Sequence, residues 1–288
     1  LFTSSGAEML RDFAAIISVT KANPNGDPLN GNRPRQNYDG KGEISDVCLK
    51  RKIRNRLQDT GESIFVQSQD RSDDGFASLR DRADSNETLK KALTDKKSKI
   101  SSDEFASIAC SEWTDVRSFG QVFAFKGSEL SVGVRGPVSI QTAVSVDPVD
   151  VTSMQITKSV NSTTSDTKGS DTMGMKHFVE FGVYVLKGSI NTQLAEKTGF
   201  TNEDAEKIKM ALQTLFANDV SSARPDGSME VNKVYWWNHN SKLGQYSSAK
   251  VHRLLSLEKK TEHPSSFDDY NVTLETLDNL VVEILDGL

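Results

Sequence analysis

Cysteine is nearly absent: Cys48 and Cys110 are the only two in 288 residues and form no CxxC pair. Neither a disulfide framework nor a thiolate zinc site therefore organises the chain, and a reducing cytoplasm is the natural setting. Histidine is also scarce. His177, His239, His252 and His263 are scattered, with no HExxH pattern, so no metal or other cofactor is expected. There is no GxxxxGK[ST] phosphate loop and no GxSxG elbow, and the glycines near Asn25 lack dinucleotide-binding spacing. No apolar run approaches the roughly 20 residues that cross a membrane. Residues 1–11 (LFTSSGAEMLR) lack the basic and apolar regions of a signal peptide. The expectation is a protein of the cytoplasm with no membrane partner.

What is present is an uneven distribution of charge. The formal net charge is −5, which by itself announces no polyanion partner. Residues 258–288, however, carry eight acids against Lys259 and Lys260, so the remainder is close to neutral. A chain with one basic and one acidic pole can bind nucleic acid at the first and stay soluble through the second.

The basic pole lies in residues 23–56, NPNGDPLNGNRPRQNYDGKGEISDVCLKRKIRNR. Asn, Gly and Pro crowd its first third, which is turn chemistry and predicts a shaped loop with Arg33 and Arg35 at its exit. Ser45 or Asp46 can cap a following helix, and Leu49, Ile53 and Leu57 recur at four-residue spacing to give it one buried stripe. Lys50, Arg51, Lys52, Arg54 and Arg56 flank that stripe with no acid among them. A positive helix beside a loop rich in backbone donors suits a phosphate backbone. A charge run of this kind also serves simply as a solvated helix face.

Residues 13–20 (FAAIISVT) have strand composition. Residues 61–110 are polar and mixed in charge, which predicts a mostly helical insertion with a thin core. Apolar residues return over 113–125, which ends in a strand, and 131–146 suits two strand segments with a bend at Gly136-Pro137. A strand over 154–160, a Ser/Thr/Gly/Asp tract and the strong strand 178–190 predict a long hairpin standing away from the core, with Met154, Met173 and Met175 near its ends. Thr201 and Asp204 open an amphipathic helix running to about residue 217. Residues 231–239 (VNKVYWWNH) and 249–257 predict further strands. Tyr235, Trp236 and Trp237 are candidates for base stacking, although neighbours on a strand face opposite ways and at least one is expected in the core. The order strand, helix, strand, strand, helix, strand is that of an α+β ferredoxin-like, RNA-recognition-motif core with insertions.

Asp27, Asp39, Glu43 and Asp46 lie close together in sequence. Such carboxylates can hold Mg²⁺ for phosphodiester cleavage, and they equally serve turns and a helix cap.

Several blocks in one order carry a resemblance: NPNGDP (23–28), GNRPR (31–35), DVCLKRKIRN (46–55), DVRSFG (115–120), VRGPV (134–138), TMGMKH (172–177) and LAEKTGF (194–200). Together they resemble the backbone subunit of the type I-C CRISPR surveillance complex, Cascade, in the RAMP superfamily. The resemblance implies an α+β protein with an RNA-recognition-type palm (13–56, 113–143 and 177–257), a helical fingers insertion (57–112), a β-hairpin thumb (144–176) and an acidic C-terminal segment (258–288). It implies copies that polymerise along one guide RNA and present it to target DNA, without catalysis of their own. Partners would be further copies of the chain, a guide-processing end subunit, and large and small subunits. The RNA grip would fall on Lys50, Arg51 and Arg54, with Arg35, Arg117, Ser118, Arg135, Lys158, Lys176 and His177 as further contacts. Met154, Met173 and Met175 would wedge between bases. Related backbone subunits cut target RNA, so a Mg²⁺-dependent endoribonuclease is the alternative.

Overall fold

The computed structural model describes residues 7–157 and 173–288. The chain begins with β1 (Arg11–Ala22), two short paired strands β2 (Gly26–Asp27) and β3 (Arg33–Pro34), β4 (Lys41–Ile44) and the helix α1 (Asp46–Asp59). Helices α2 (Leu79–Asp84), α3 (Glu87–Thr94), α4 (Ser102–Glu112) and α5 (Thr114–Phe119) follow. Next come β5 (Gly120–Ala124), β6 (Ser131–Arg135), β7 (Val138–Ile140), β8 (Ala143–Pro148), β9 (Val151–Thr157) and the long β10 (Met173–Ile190). The remainder is α6 (Thr192–Thr198), α7 (Asn202–Gln213), β11 (Met229–Asn238), α8 (Ser248–His252), β12 (Leu255–Lys259), β13 (Tyr270–Leu274) and β14 (Val281–Asp286).

The main sheet runs β14-β11-β1-β10-β8-β4, with β7 and β9 also paired to β10, and neighbouring strands in it pair antiparallel. β1 lies at its centre, and alternation along it divides the molecule into layers. Phe13, Ala15, Ile17 and Val19 face α1 and α7, packing with Leu49, Ile53, Ile208 and Leu212. Ala14 and Ile16 face the other way, with Val183, Tyr235 and Trp237, beneath Val251, Leu254, Leu255 and Tyr270. Because both faces are covered, β1 reads as a continuous apolar run rather than an alternating one.

Residues 64–134 have a core of their own, in which Phe65, Leu89, Phe105, Trp113 and Phe123 are fully or almost fully buried. Phe65, Trp113, Phe123 and Phe105 form a chain of ring contacts 4.7–5.2 Å apart. The thin core expected here is thus supplemented by aromatics that arrive from both ends of the insertion. Two other expectations, the strand over 249–257 and the stacking aromatics, are corrected. Residues 249–257 are half helix, because the Ser247 hydroxyl accepts from the Lys250 amide and starts α8. Tyr235, Trp236 and Trp237 are all buried, so none offers a face to a base. The acidic C-terminal segment is woven into the structure: β14 pairs with β11, and Glu283 and Asp286 meet Lys209 and Lys233. Among the described residues, no helix is long and apolar enough to cross a membrane.

Two of the scattered histidines converge at Asp12, which is wholly buried on β1. The Asp12 carboxylate lies 2.7 Å from His239 Nε2, and the Gln245 amide donates to His239 Nδ1. His239 thus bridges the buried carboxylate on β1 and the loop that holds Gln245. His252 Nε2 donates to the Gly188 carbonyl and lies 3.9 Å from the second Asp12 oxygen. Burial lowers the His252 pKa, outweighing the Gly188 and Asp12 contributions, and Lys187 lowers it further. A histidine depressed in the folded state is protonated first in the unfolded chain, so its contribution to stability is present above about pH 6.5 and lost as pH falls below it. Denaturation midpoints should fall as pH drops below about 6.5, and less so in His252→Gln. An identical slope in that variant would remove His252 as the cause.

Candidate nucleic-acid interface

The site is built on α1, and of the two caps the sequence offers, Ser45 and Asp46, Ser45 is the one used: its Oγ accepts from the Cys48 amide at 3.2 Å. The Asn25 side chain accepts from the Ser45 amide, tying the Asn/Gly/Pro loop to the helix start. Leu49, Ile53 and Leu57 are buried. Two of the cations around them, Lys52 and Arg54, carry counter-ions drawn from far along the chain. Lys52 is buried against Asp219 at 2.5 Å, and Arg56 meets Asp59 at 2.8 Å. Arg54 Nε donates to Asp115 at 3.1 Å, while the same carboxylate accepts the Phe65 and Val66 amides. Arg51 donates to the Val66 carbonyl, and burial followed by repulsion from Arg54 lowers its pKa. Lys50 lies 4.0 Å from Asp46, and both Lys50 and Arg54 sit over the Phe119 ring. The outward cations Lys50, Arg51 and Arg54 are therefore together, half-buried and held in place.

The next two blocks meet through their glycines. A Cβ on Gly136 would lie 2.3–2.4 Å from backbone atoms of Ser118, Phe119 and Gly120. Gly120 has φ 81° and ψ 173°, a conformation essentially reserved for glycine. DVRSFG and VRGPV are thus joined backbone to backbone. Arg117 pairs with both oxygens of Asp204, at 2.9 and 3.0 Å. Burial pulls the Arg117 pKa down, but Asp204 more than restores it. Burial raises the Asp204 pKa, but Arg117 and the Thr201 amide bring it below the usual carboxylate value. Ser118 is buried, its hydroxyl donating to the Thr114 carbonyl. Arg135 is exposed beside Asn191 and Lys197.

The third part is the hairpin of β9 and the outer half of β10, where Met173 pairs with Thr157 and Val179 with Val151. Paired residues share a face. Met173, Met175 and His177 lie on one face, whereas Met154, Ile156 and Lys176 lie on the other. The four apolar side chains are about half exposed. Lys158 lies outside the described residues. The sequence reading missed Arg33 and Ser153 as site members: Arg33 Nη1 donates to Ser153 Oγ at 3.1 Å, and that hydroxyl lies 2.7 Å from His177 Nδ1. The loop therefore touches the base of the hairpin. Arg33 sits in the GNRPR block and was open to inference, but nothing in the sequence marks Ser153.

A groove of about 710 Å³ runs beside α1, where Arg51, Lys52, Arg71 and Arg224 face the acids Asp59, Asp70, Asp73 and Asp219, and Asn55, Gln58 and Ser68 also line it. Asn55 Oδ1, Gln58 Oε1 and Ser68 Oγ are buried there without hydrogen-bond partners. Arg35, half-buried in the adjoining loop, also has an unpartnered Nε. Asp27 accepts from the Leu29 amide and serves a turn. Among the described residues, no three His, Cys, Asp or Glu side chains come together as a metal ion requires.

Comparison with known proteins adds a family. A sequence model described as CRISPR-associated protein Cas7 matches residues 10–275. A CRISPR-associated protein Cas7 from Haloferax volcanii is 24% identical over 290 residues, spanning 93% of this chain and 78% of that protein. A chain of a solved CRISPR RNA-guided surveillance complex described as pre-nicking overlays with a TM-score of 0.48 at 17% identity, covering 79% of this chain and 78% of its own. A chain of another CRISPR RNA-guided surveillance complex gives 0.42 at 18%, covering 79% and 68%. With the family model spanning nearly its whole length, the chain belongs to the Cas7 family of CRISPR-associated proteins.

Proposed function

We propose that this chain is the guide-RNA-binding backbone subunit of a type I-C CRISPR surveillance complex, one that polymerises along the guide and presents it for pairing with target DNA. In such complexes base pairing reads sequence, and the protein reads backbone and shape. The observation that carries the reading is the junction of three elements: the cations of α1, the loop that ends in Arg33 and Arg35, and the hairpin with half-exposed methionines. Unpartnered acceptors along the groove suit the hydroxyls of ribose. The strand order β11-β1-β10-β8, with α1 and α7 on one face, supports a ferredoxin-like palm over 13–56, 113–143 and 177–257. Residues 57–112 then form the fingers and 144–176 the thumb. The other sheet face is closed by Tyr270 and its neighbours, which directs RNA to α1 rather than to the sheet. In this reading the chain grips RNA without cutting it, in the cytoplasm, beside the large, small and guide-processing subunits.

Purifying the chain from cells with and without a repeat-spacer array and its neighbouring subunits tests the reading. A co-purifying RNA of uniform length carrying repeat sequence, in a particle much larger than one 31.7 kDa chain, is the expected result. A monomer free of nucleic acid under both conditions would overturn it. Loss of RNA cleavage with retained binding in an Asp27→Ala, Asp39→Ala variant would instead establish the nuclease alternative.

Salt dependence tests the grip itself. Substituting Arg54 would strand the buried Asp115, so the informative variant is Lys50→Gln with Arg51→Gln. At about −0.7 per neutralised phosphate for single strands, the slope of log K against log salt should flatten by roughly 1.4, with all guide sequences weakened alike. An unchanged slope would make α1 a solvated face.

A further inference from the structure

One aromatic ring stands apart from the rest of the molecule. Among the described residues Tyr38 is the only Phe, Tyr or Trp that is exposed, and it is wholly so, at 104%. Its side chain makes no hydrogen bond, ion pair or ring contact with any described residue. Its backbone, by contrast, is fixed. The turn of residues 36–42 closes on the Gln36–Gly42 bridge, the Asn37 amide donates to the Lys41 carbonyl, and the Asn37 side chain accepts from the amides of Asp39 and Lys41 at 3.0 and 2.9 Å. Gly40, at φ 78°, supplies the left-handed residue that closes the turn. The turn is also clamped from outside. The Gln36 side chain donates to the carbonyls of Gly40 and Val149, and the Val149 amide donates to the Gly40 carbonyl. Val149 lies between β8 and β9, at the root of the hairpin.

From this we infer that Tyr38 is a stacking platform for one base of the guide RNA. The inference rests on the guide-RNA reading and adds to it a base contact outside the hairpin. A ring left wholly in water forgoes the burial that makes aromatics useful in a core, and a rigid mount removes much of the ordering cost of binding. Such a residue serves a ligand, and its surroundings decide which. Protein interfaces set an aromatic anchor within a well-packed, largely apolar centre. Within 35–41, Tyr38 is accompanied only by Arg35, Gln36, Asn37, Asp39, Gly40 and Lys41. A single strand needs a lone π face with cations close by for the adjoining phosphates, and here Arg35 and Lys41 flank the turn against one acid, Asp39. The turn through Val149 and Arg33 through Ser153 both bear on the first part of the hairpin. The ring therefore stands beside the junction assigned to the guide. It also supplies what Tyr235, Trp236 and Trp237 cannot, since those three are buried.

The test titrates the full chain with an unstructured single-stranded RNA over a range of salt concentrations, in the wild type and in Tyr38→Ala, Tyr38→Phe and Leu29→Ala. Leu29 is nearly as exposed in the same loop but has no π face. Tyr38→Ala should weaken binding about tenfold, within the range for one stacked base. Its log–log salt slope should match the wild type, because a phenol ring neutralises no phosphate. Tyr38→Phe keeps the π face and should bind as the wild type does, as should Leu29→Ala. With 2-aminopurine placed at each RNA position in turn, a position quenched in the wild type should brighten in Tyr38→Ala. Thermal midpoints should be the same in all four forms, since the ring supports nothing in the fold. Equal affinity in Tyr38→Ala and wild type would overturn the inference. So would a flattened slope, or an equal loss in Tyr38→Phe, which would assign the effect to the hydroxyl. A smaller particle with unchanged RNA affinity would make Tyr38 a contact between copies instead. A wild type that binds no RNA would sink the guide reading itself, a result distinct from wild type and Tyr38→Ala binding alike.

Discussion

An Asp115→Ala variant is expected to lose about 3–5 kcal/mol of stability, the usual cost of breaking a buried ion pair and leaving one partner behind. Asp115 is 1% exposed. Its carboxylate accepts from Arg54 on α1 and from the amides of Phe65 and Val66 at the root of the insertion. Alanine would leave a half-buried guanidinium and two amides without their acceptor. Because these groups join the main sheet's helix layer to the second core, the two cores should uncouple. Urea unfolding followed separately by tryptophan fluorescence and far-ultraviolet circular dichroism should pass from coincident to separated transitions. Asp115→Asn, which keeps one carbonyl acceptor, should lie between. A midpoint within error of wild type would show that the carboxylate is not the tie between the cores.

Gly136→Ala is expected to cost about 3 kcal/mol, at the upper end of overpacking substitutions. The added methyl meets backbone rather than side chains: Phe119 C at 2.3 Å, Gly120 N and Ser118 O at 2.4 Å. Backbone cannot rotate away, and the facing Gly120 is itself at φ 81°. Relief requires the α5 end and the β6–β7 connection to separate, which should also displace Phe119 from beneath Lys50 and Arg54. The variant should therefore lose RNA affinity along with stability, although Gly136 offers no side chain to RNA. Gly133→Ala, three residues away with open space around its Cβ, is the control and should change little. Equal behaviour of the two would refute the close-approach account.

Much of the architecture was legible because it rests on local pattern. β1, α1, α7, β10 and β11 each announce themselves by apolar periodicity or by a cap, and Ser45, one of two candidates, and Thr201 cap their helices. Residues 249–257 misled because the apolar composition of Val251, Leu254, Leu255 and Leu257 is shared by a short helix and a strand, and the deciding feature is one hydroxyl at Ser247. At the site, the positive run of α1 was visible, but its neutralisation was not. The partners of Arg54 and Lys52 lie 61 and 167 residues away, a distance at which a single sequence carries no signal. The glycines of DVRSFG and VRGPV were visible as a shared pattern, whereas their role as two halves of one close approach depends on the fold.

β10 is a single uninterrupted strand whose inner half lies between β1 and β8 and whose outer half forms one side of the hairpin. At about 3.3 Å per residue its span is roughly 60 Å, of which about 20 Å projects with β9. Among its described residues no turn or break separates the two halves. The hairpin is therefore a cantilever clamped in the centre of the sheet: a load on Met173 or Met175 is carried into the hydrogen bonds of β1 and is not absorbed at a hinge. An arm mounted this way sets a distance. Whatever it bears upon is held at a separation fixed by strand length, so a repeating assembly of such subunits would inherit its pitch from β10.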